Sequence, residues 1–287
     1  MKVIRSISEL QQLTKTTQKK IGFVPTMGFL HKGHMTLMER AKQENELVIV
    51  SIFVNPLQFG PTEDYETYPR NEVKDVELAK EIGVDIVFIP QVQDMYPNKM
   101  KIKLSINERI DQLCGKSRPG HFDGVLTVLA KLFHIVNPTK VYFGLKDAQQ
   151  VAVVDALIQD LNFPIELVGV PTVREESGLA ISSRNVHLSP QEKKEATELY
   201  KALNYGRKLV VDGETNPVMI EKEVKNYLKN NTSSKIDYID ILSYPDLKKV
   251  DQINQRVILA GALYFEKARI IDNLIFNEQG NLENKFS

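Results

Sequence analysis

Between positions 21 and 170 the apolar residues follow two alternating patterns. Short runs near 21–24, 47–54, 84–89, 141–143 and 165–170 are apolar at successive positions, as strands buried on both faces are. The stretches between them, 36–44, 71–82, 125–136 and 148–160, instead place apolar residues at helical spacing. Strands with two apolar faces, separated by helices, predict an α/β fold built on a doubly wound parallel sheet with right-handed crossovers. Ser8-Glu9-Leu10-Gln11 offers a capping-box start for a helix ahead of the first strand. The pattern changes after Arg174. A polar segment leads through Ile181-Ser182-Ser183-Arg184-Asn185 to Ser189-Pro190-Gln191-Glu192, a helix start with proline in its first turn. A long helix and a second near 217–229 follow, then three strand-like runs at 236–242, 256–263 and 268–275. Helices followed by consecutive strands predict a smaller α+β domain, so the expected division is 1–176 and 177–287.

Composition narrows the choice of partner. The 287 residues include 37 basic and 37 acidic side chains, a formal net charge of zero, which offers no electrostatic footprint for nucleic acid or an anionic membrane. Small-molecule substrates are expected. A single cysteine, Cys114, excludes an intramolecular disulfide framework; beside Lys116 it has either a lowered thiol pKa or the plainer role of small filler. No long apolar core follows Met1, and no run reaches the roughly 18 apolar residues that span a bilayer, so a cytoplasmic location is expected.

The candidate chemistry begins at Val24-Pro25-Thr26-Met27-Gly28-Phe29-Leu30-His31-Lys32-Gly33-His34, where a strand turns into a helix. Ligands of open parallel sheets bind outside the carboxyl ends of the strands, where the next helix aims its N-terminal amides and positive dipole end. Each imidazole there can give a phosphoryl oxygen a hydrogen bond, or a charge if protonated. Taken alone, the pair is equally a solvated helix start or half of a metal site. Metal binding lacks further ligands, since the chain has five histidines, one cysteine and no His-Glu-x-x-His or Cys-x-x-Cys. Gly-x-Gly-x-x-Gly is missing after the first strand, and Ile110 stands where a phosphate-binding loop ending in Gly115-Lys116-Ser117 needs its first glycine.

Four more segments fall where such a sheet meets a ligand. Phe53-Val54-Asn55-Pro56-Leu57-Gln58-Phe59 closes one strand and leaves Asn55 and Gln58 in the connection. Gly144-Leu145-Lys146-Asp147-Ala148-Gln149-Gln150 closes another, with Asp147 also readable as a plain helix cap and Gln150 as a solvated first-turn residue. Ser182-Ser183-Arg184 brings two hydroxyls and a permanent cation to the domain junction, unless it is only a capped loop. Arg118-Pro119-Gly120-His121-Phe122-Asp123 precedes an apolar helix, which His121 and Asp123 can simply cap. Asp75 is readable as a metal-side carboxylate or, on its amphipathic helix, as a solvated one.

Together these segments resemble the pantothenate synthetase (pantoate–β-alanine ligase) family, related to class I aminoacyl-tRNA synthetases and nucleotidylyltransferases. Pro25-Thr26-Met27-Gly28 with His31-x-Gly33-His34 looks like the family's histidine signature; 53–59, 144–150, Val170-Pro171-Thr172-Val173-Arg174 and Ser182-Ser183-Arg184-Asn185 match its other segments in order. Phe29, Lys32, Leu145, Ala148 and Ile181 depart from the common pattern.

The resemblance implies a Rossmann-like domain with a smaller one closing over the site, and ATP-dependent, Mg²⁺-supported joining of pantoate to β-alanine through a pantoyl adenylate, in a cytoplasmic homodimer. The near alternative is a nucleotidylyltransferase that leaves the nucleotide on its product. Carried over by position, Met27, Gly28, Phe29, Leu30, His31, Lys32, Gly33 and His34 would line ATP, with His34 as catalytic histidine and His31 its partner. Gly144, Leu145, Lys146 and Asp147 would bind the nucleotide, Lys146 on phosphate and Asp147 near the ribose. Val173 would meet adenine, and Ile181, Ser182, Ser183 and Arg184 the phosphates. His34, His31, Lys146 and Arg184 would stabilise the transition state. Gln58 and Gln150 would hold pantoate, Gln58 also lying near β-alanine, with Asn55 beside them. The ligands of the Mg²⁺ are not identified by the sequence.

Overall fold

The computed structural model describes residues 1–61, 63 and 65–283. The chain runs β1 (Lys2–Ile4), α1 (Ile7–Thr16), β2 (Ile21–Thr26), α2 (Lys32–Glu44), β3 (Leu47–Ile52), a 3₁₀ turn at Pro56–Gln58, α3 (Glu72–Glu81) and β4 (Ile86–Phe88). Short helices α4 (Val92–Met95) and α5 (Leu113–Ser117) lead to α6 (His121–Val136), β5 (Lys140–Gly144), a 3₁₀ turn at Leu145–Asp147, α7 (Ala148–Asp160) and β6 (Glu166–Val170). A third 3₁₀ turn, Ser183–His187, precedes α8 (Pro190–Val211), α9 (Pro217–Asn231), β7 (Lys235–Ser243), β8 (Val257–Tyr264) and β9 (Arg269–Phe276).

Six parallel strands form the main sheet in the order β1-β4-β3-β2-β5-β6, and β7-β8-β9 form a separate antiparallel sheet. The expected α/β architecture with a smaller α+β unit is what the chain adopts. Alternate residues of each central strand enter different cores: Phe23, Ile49 and Val141 pack with α1, α6 and α7, whereas Val24, Val50 and Tyr142 pack with α2 and α3. That double burial explains why the strands read as unbroken apolar runs.

Several boundaries differ from the sequence reading. The edge strand β1 escapes a periodicity argument because it is three residues long. Its following helix is capped by Ser6, whose hydroxyl accepts the Glu9 amide, not by Ser8. Helices α2 and α6 each begin four residues earlier than their apolar spacing suggests, at Lys32 and His121, because first turns carrying Lys32, Gly33, His34, His121 and Asp123 break up the apolar stripe. Among the described residues no helix is long and apolar enough to cross a membrane.

Candidate active site

The order of the main sheet reverses at β2. From there the chain steps outward through β3 and β4, then returns to place β5 on the other side. β2 and β3 stay paired as far as Thr26 and Ile52, but β2 and β5 pair only at Gly22–Lys140 and Phe23–Val141. Beyond that point the two strands part, and a cleft of about 240 Å³ opens between their carboxyl ends. Met27, His31, Gly33, His34, Asn55 and Gln58 line one side; Gly144, Lys146, Asp147 and Gln150 line another. Val173, Ile181, Ser182, Ser183 and Arg184 complete the wall.

The histidines cap α2 reciprocally. His31 Nδ1 accepts the Gly33 amide at 3.2 Å, and His34 Nδ1 accepts the His31 amide at 3.3 Å, with the ring centroids 4.0 Å apart. A backbone N–H can only donate, so each Nδ1 is unprotonated and each neutral ring carries its proton on Nε2. Burial, then the Lys146 charge, lowers the His31 pKa to about 4. Burial, His31 and Lys146 lower that of His34 to about 3. At neutral pH the pair therefore offers two N–H donors and no charge. Of the two roles open to the imidazoles in sequence, hydrogen-bond donor or cation, burial leaves the first.

The turn that delivers them is held from behind by a carboxylate. Asp75, on α3, is 2% exposed, and its two oxygens accept the Phe29 amide at 2.8 Å and the Leu30 amide at 2.7 Å. Both sequence readings of Asp75, metal ligand and solvated residue, give way to this one, because each buried oxygen is committed to an amide. Gly28 and Phe29 have φ of 85° and 51°, and a Cβ on Gly28 would stand 2.9 Å from Asp75 Oδ2, so glycine is required there. With this turn held against Asp75, Gly28, Phe29 and Leu30 do not line the cleft; Leu30 is a core residue, as is Leu145, and Lys32 is exposed.

Gln58 is placed by its surroundings. Its Nε2 lies 3.1 Å from Met27 Sδ, its Oε1 accepts from Asn55, and its carbonyl accepts His121 Nδ1–H at 2.7 Å. Asn55 is fully engaged, giving its amide to Gln58 and the Gly124 carbonyl and taking the Leu57 amide and the Tyr96 hydroxyl. It borders the cleft as a brace for Gln58. Gln149 fixes the 109–115 segment through three hydrogen bonds, while Gln150 faces the cleft.

A model of the pantoate–β-alanine ligase family matches residues 2–275 of this sequence. The chain belongs to the pantoate–β-alanine ligase family. It is 56% identical over 271 residues to the pantothenate synthetase of Geobacillus sp. (strain WCH70), covering 94% of this chain and 96% of that one. With the Bacillus subtilis (strain 168) pantothenate synthetase it shares 54% over 280 residues, 96% and 98% of the two chains. The crystal structure of the Thermus thermophilus pantothenate synthetase superposes with a TM-score of 0.91 at 43% identity, over 96% of this chain and 99% of that one. A pantoate–β-alanine ligase from Francisella tularensis, crystallised with βγ-ATP and β-alanine, gives 0.77 at 35% identity, over 97% and 98%.

Tyr68, Arg118 and His121 also line the ligase cleft, and Glu63 lies behind Arg118. His121 is 9% exposed; with Nδ1 donating to Gln58, its Nε2 accepts from Arg118 Nη1 at 3.0 Å, the opposite tautomer from His31 and His34. Burial and Arg118 lower its pKa to about 4. Arg118 in turn holds Glu63 through two hydrogen bonds, which outweigh burial and keep that carboxyl below its usual range. Tyr68, its hydroxyl 3.5 Å from the Ser183 hydroxyl, also borders the cleft. Their signal in sequence was the Arg118–His121 turn; nothing local marked Tyr68 or Glu63. Asp123 takes no part, since it accepts the Ile106 amide. A second chamber of about 740 Å³ adjoins the first, reaching from Lys146 and Arg184 to Lys267 and Arg269 of the smaller unit. Cys114 borders it, 3.2 Å from Arg269 Nη1 and 3.5 Å from the Tyr238 hydroxyl.

Proposed function

We propose that the chain joins pantoate to β-alanine at the expense of ATP, releasing AMP and pyrophosphate. The observation that carries the reading is the pair of neutral imidazoles, both Nδ1 atoms held by backbone amides, sharing with Lys146 the cleft at the reversal of the sheet. A carboxylate and an amine do not condense in water, because oxide would have to leave. Pantoate's carboxylate therefore attacks the α-phosphorus in line, forming pantoyl adenylate and expelling pyrophosphate; the uncharged amine of β-alanine then attacks the acyl carbon and AMP leaves.

The residues divide this work by their chemistry. Nε2–H groups of His31 and His34 donate to the non-bridging oxygens, and the Lys146 and Arg184 cations with the Ser182 and Ser183 hydroxyls take charge on the departing phosphates. Gly144, Asp147 and Val173 hold the nucleoside, Met27 and Gly33 border the triphosphate, and Ile181 supports the phosphate loop. Gln58 and Gln150 orient pantoate through neutral amides, which stabilise its reactive carboxylate less than a cation would and so blunt its attack less.

Mg²⁺ fits as a companion of the triphosphate, which commonly supplies most of its ligands besides water. Asp147 is the carboxylate among the described residues lining the cleft and would hold the ion, which there would neutralise phosphate charge. No described cluster of three or more His, Cys, Asp or Glu side chains forms a metal cage. A domain division near 176/177, closure of the smaller unit and a cytoplasmic homodimer belong to the same proposal, supported by the family resemblance.

The test is AMP release measured with pantoate and β-alanine supplied separately and together, alongside exchange of labelled pyrophosphate into ATP. Exchange with pantoate alone, and AMP release only with both, is the expected result. Free AMP absent from the products would mean that the nucleotide stays on the product, as in a nucleotidylyltransferase.

A further inference from the structure

Asn273 belongs to β9 of the smaller sheet, yet its side chain is spent on the larger unit. Its Nδ2 donates to the Leu145 carbonyl at 3.0 Å and to the Lys146 carbonyl at 2.9 Å, and the residue is 8% exposed. Both partners only accept, so the orientation of the amide is fixed by them. Tyr244, just beyond β7, adds a third hold by donating its hydroxyl to the Ala148 carbonyl at 3.1 Å. On the other side of Asn273, Asp272 takes a two-point ion pair from Arg174, at 2.5 and 2.9 Å. Arg174 opens the segment that returns through Ala180 to the phosphate-facing serines.

Leu145–Asp147 is a single 3₁₀ turn between β5 and α7. So short a turn has weak internal hydrogen bonding, and its direction is set by what grips it from outside. The grip on it comes from Asn273, more than a hundred positions away in sequence. Loss of the amide would take one donor from each of two carbonyls, one buried and one part-buried, and free the Lys146 main chain to tilt.

We propose that Asn273 is a positioning residue for ATP: it sets the Leu145–Lys146 turn so that the Lys146 ammonium meets the phosphates, and thereby makes nucleotide binding depend on the docked smaller sheet. Asn273 itself touches no substrate. The proposal rests on the phosphate-binding role given to Lys146 above.

The experiment is a double-mutant cycle on the full-length protein, using titration calorimetry with a non-hydrolysable ATP analogue. Wild type, Asn273→Ala, Lys146→Ala and the double variant are compared, with thermal unfolding of each. Asn273→Leu, close in volume and without a donor, is the parallel variant should the alanine protein fail to fold. Asn273→Ala or Asn273→Leu should weaken the analogue about tenfold, whereas the double variant should bind no more weakly than Lys146→Ala. Unchanged affinity in both Asn273 variants, or an equal loss with and without Lys146, overturns the proposal and leaves the role of Lys146 standing. Wild-type affinity in Lys146→Ala overturns that role, and the proposal with it.

Discussion

At the scale of single residues, His31 and His34 do two jobs with two nitrogens. Nδ1 closes the end of a helix, and the proposed function gives Nε2–H to the ligand. Protonation would put a proton where a backbone N–H already points, in a buried site next to a lysine, so both rings resist it. In the free protein their NMR resonances should stay those of neutral imidazole from pH 8 down to about 5, below which His31 begins to titrate towards its value of about 4. A midpoint near the ordinary 6.5 would contradict the caps. His34→Ala should leave a folded protein whose turnover falls by roughly 10²-fold or more, the scale of a lost oxyanion donor. Steady-state kinetics on the purified variant check this, and near-normal turnover would remove His34 from the chemistry. Asp75 shows why residue type alone misleads: a carboxylate on an amphipathic helix reads as solvated until its two amide partners, 45 and 46 positions away, are seen.

At the scale of elements, the cleft exists because β2 and β5 separate while their outer pairings continue. One wall then depends on how closely α6 approaches the Pro56–Gln58 turn. A Cβ on Gly124 would lie 2.1 Å from the Leu57 carbonyl oxygen and 2.6 Å from the Gln58 amide, both backbone atoms that cannot swing aside. Gly124→Ala should therefore push helix and turn apart, lowering stability by about 1–3 kcal/mol as overpacking does. The Michaelis constant for pantoate should rise as Gln58 shifts. Chemical denaturation and substrate titration check the two effects, and an unchanged midpoint with an unchanged constant would show the contact to be slack.

At the scale of the whole molecule, the buried histidines tie stability to pH. His31, His34 and His121, held neutral chiefly by burial, have pKa values of about 4, 3 and 4 in place of 6.5. The unfolded chain then binds more protons than the folded one below pH 6.5, so stability is complete above that value and is lost as the pH falls towards 4. Asp75, Glu221 and Asp240, raised by burial, act in the opposite sense from lower starting values. The thermal unfolding midpoint should fall between pH 6.5 and 5; a flat profile there would mean that the histidines are solvated. The sequence alone determined the strand and helix alternation, the switch to consecutive strands near the end, and the segments that border the site. It could do so because two-sided burial and helical spacing are local patterns, and because His31-x-Gly33-His34 and its companion segments are contiguous. Tertiary structure alone decided that the histidines are neutral, that Asp75 is a brace, that Leu30 and Leu145 are core residues, and that Asn273 reaches the Lys146 turn. Each depends on burial or on partners far apart in the chain, and hydrogen bonds between distant segments leave no period in a sequence.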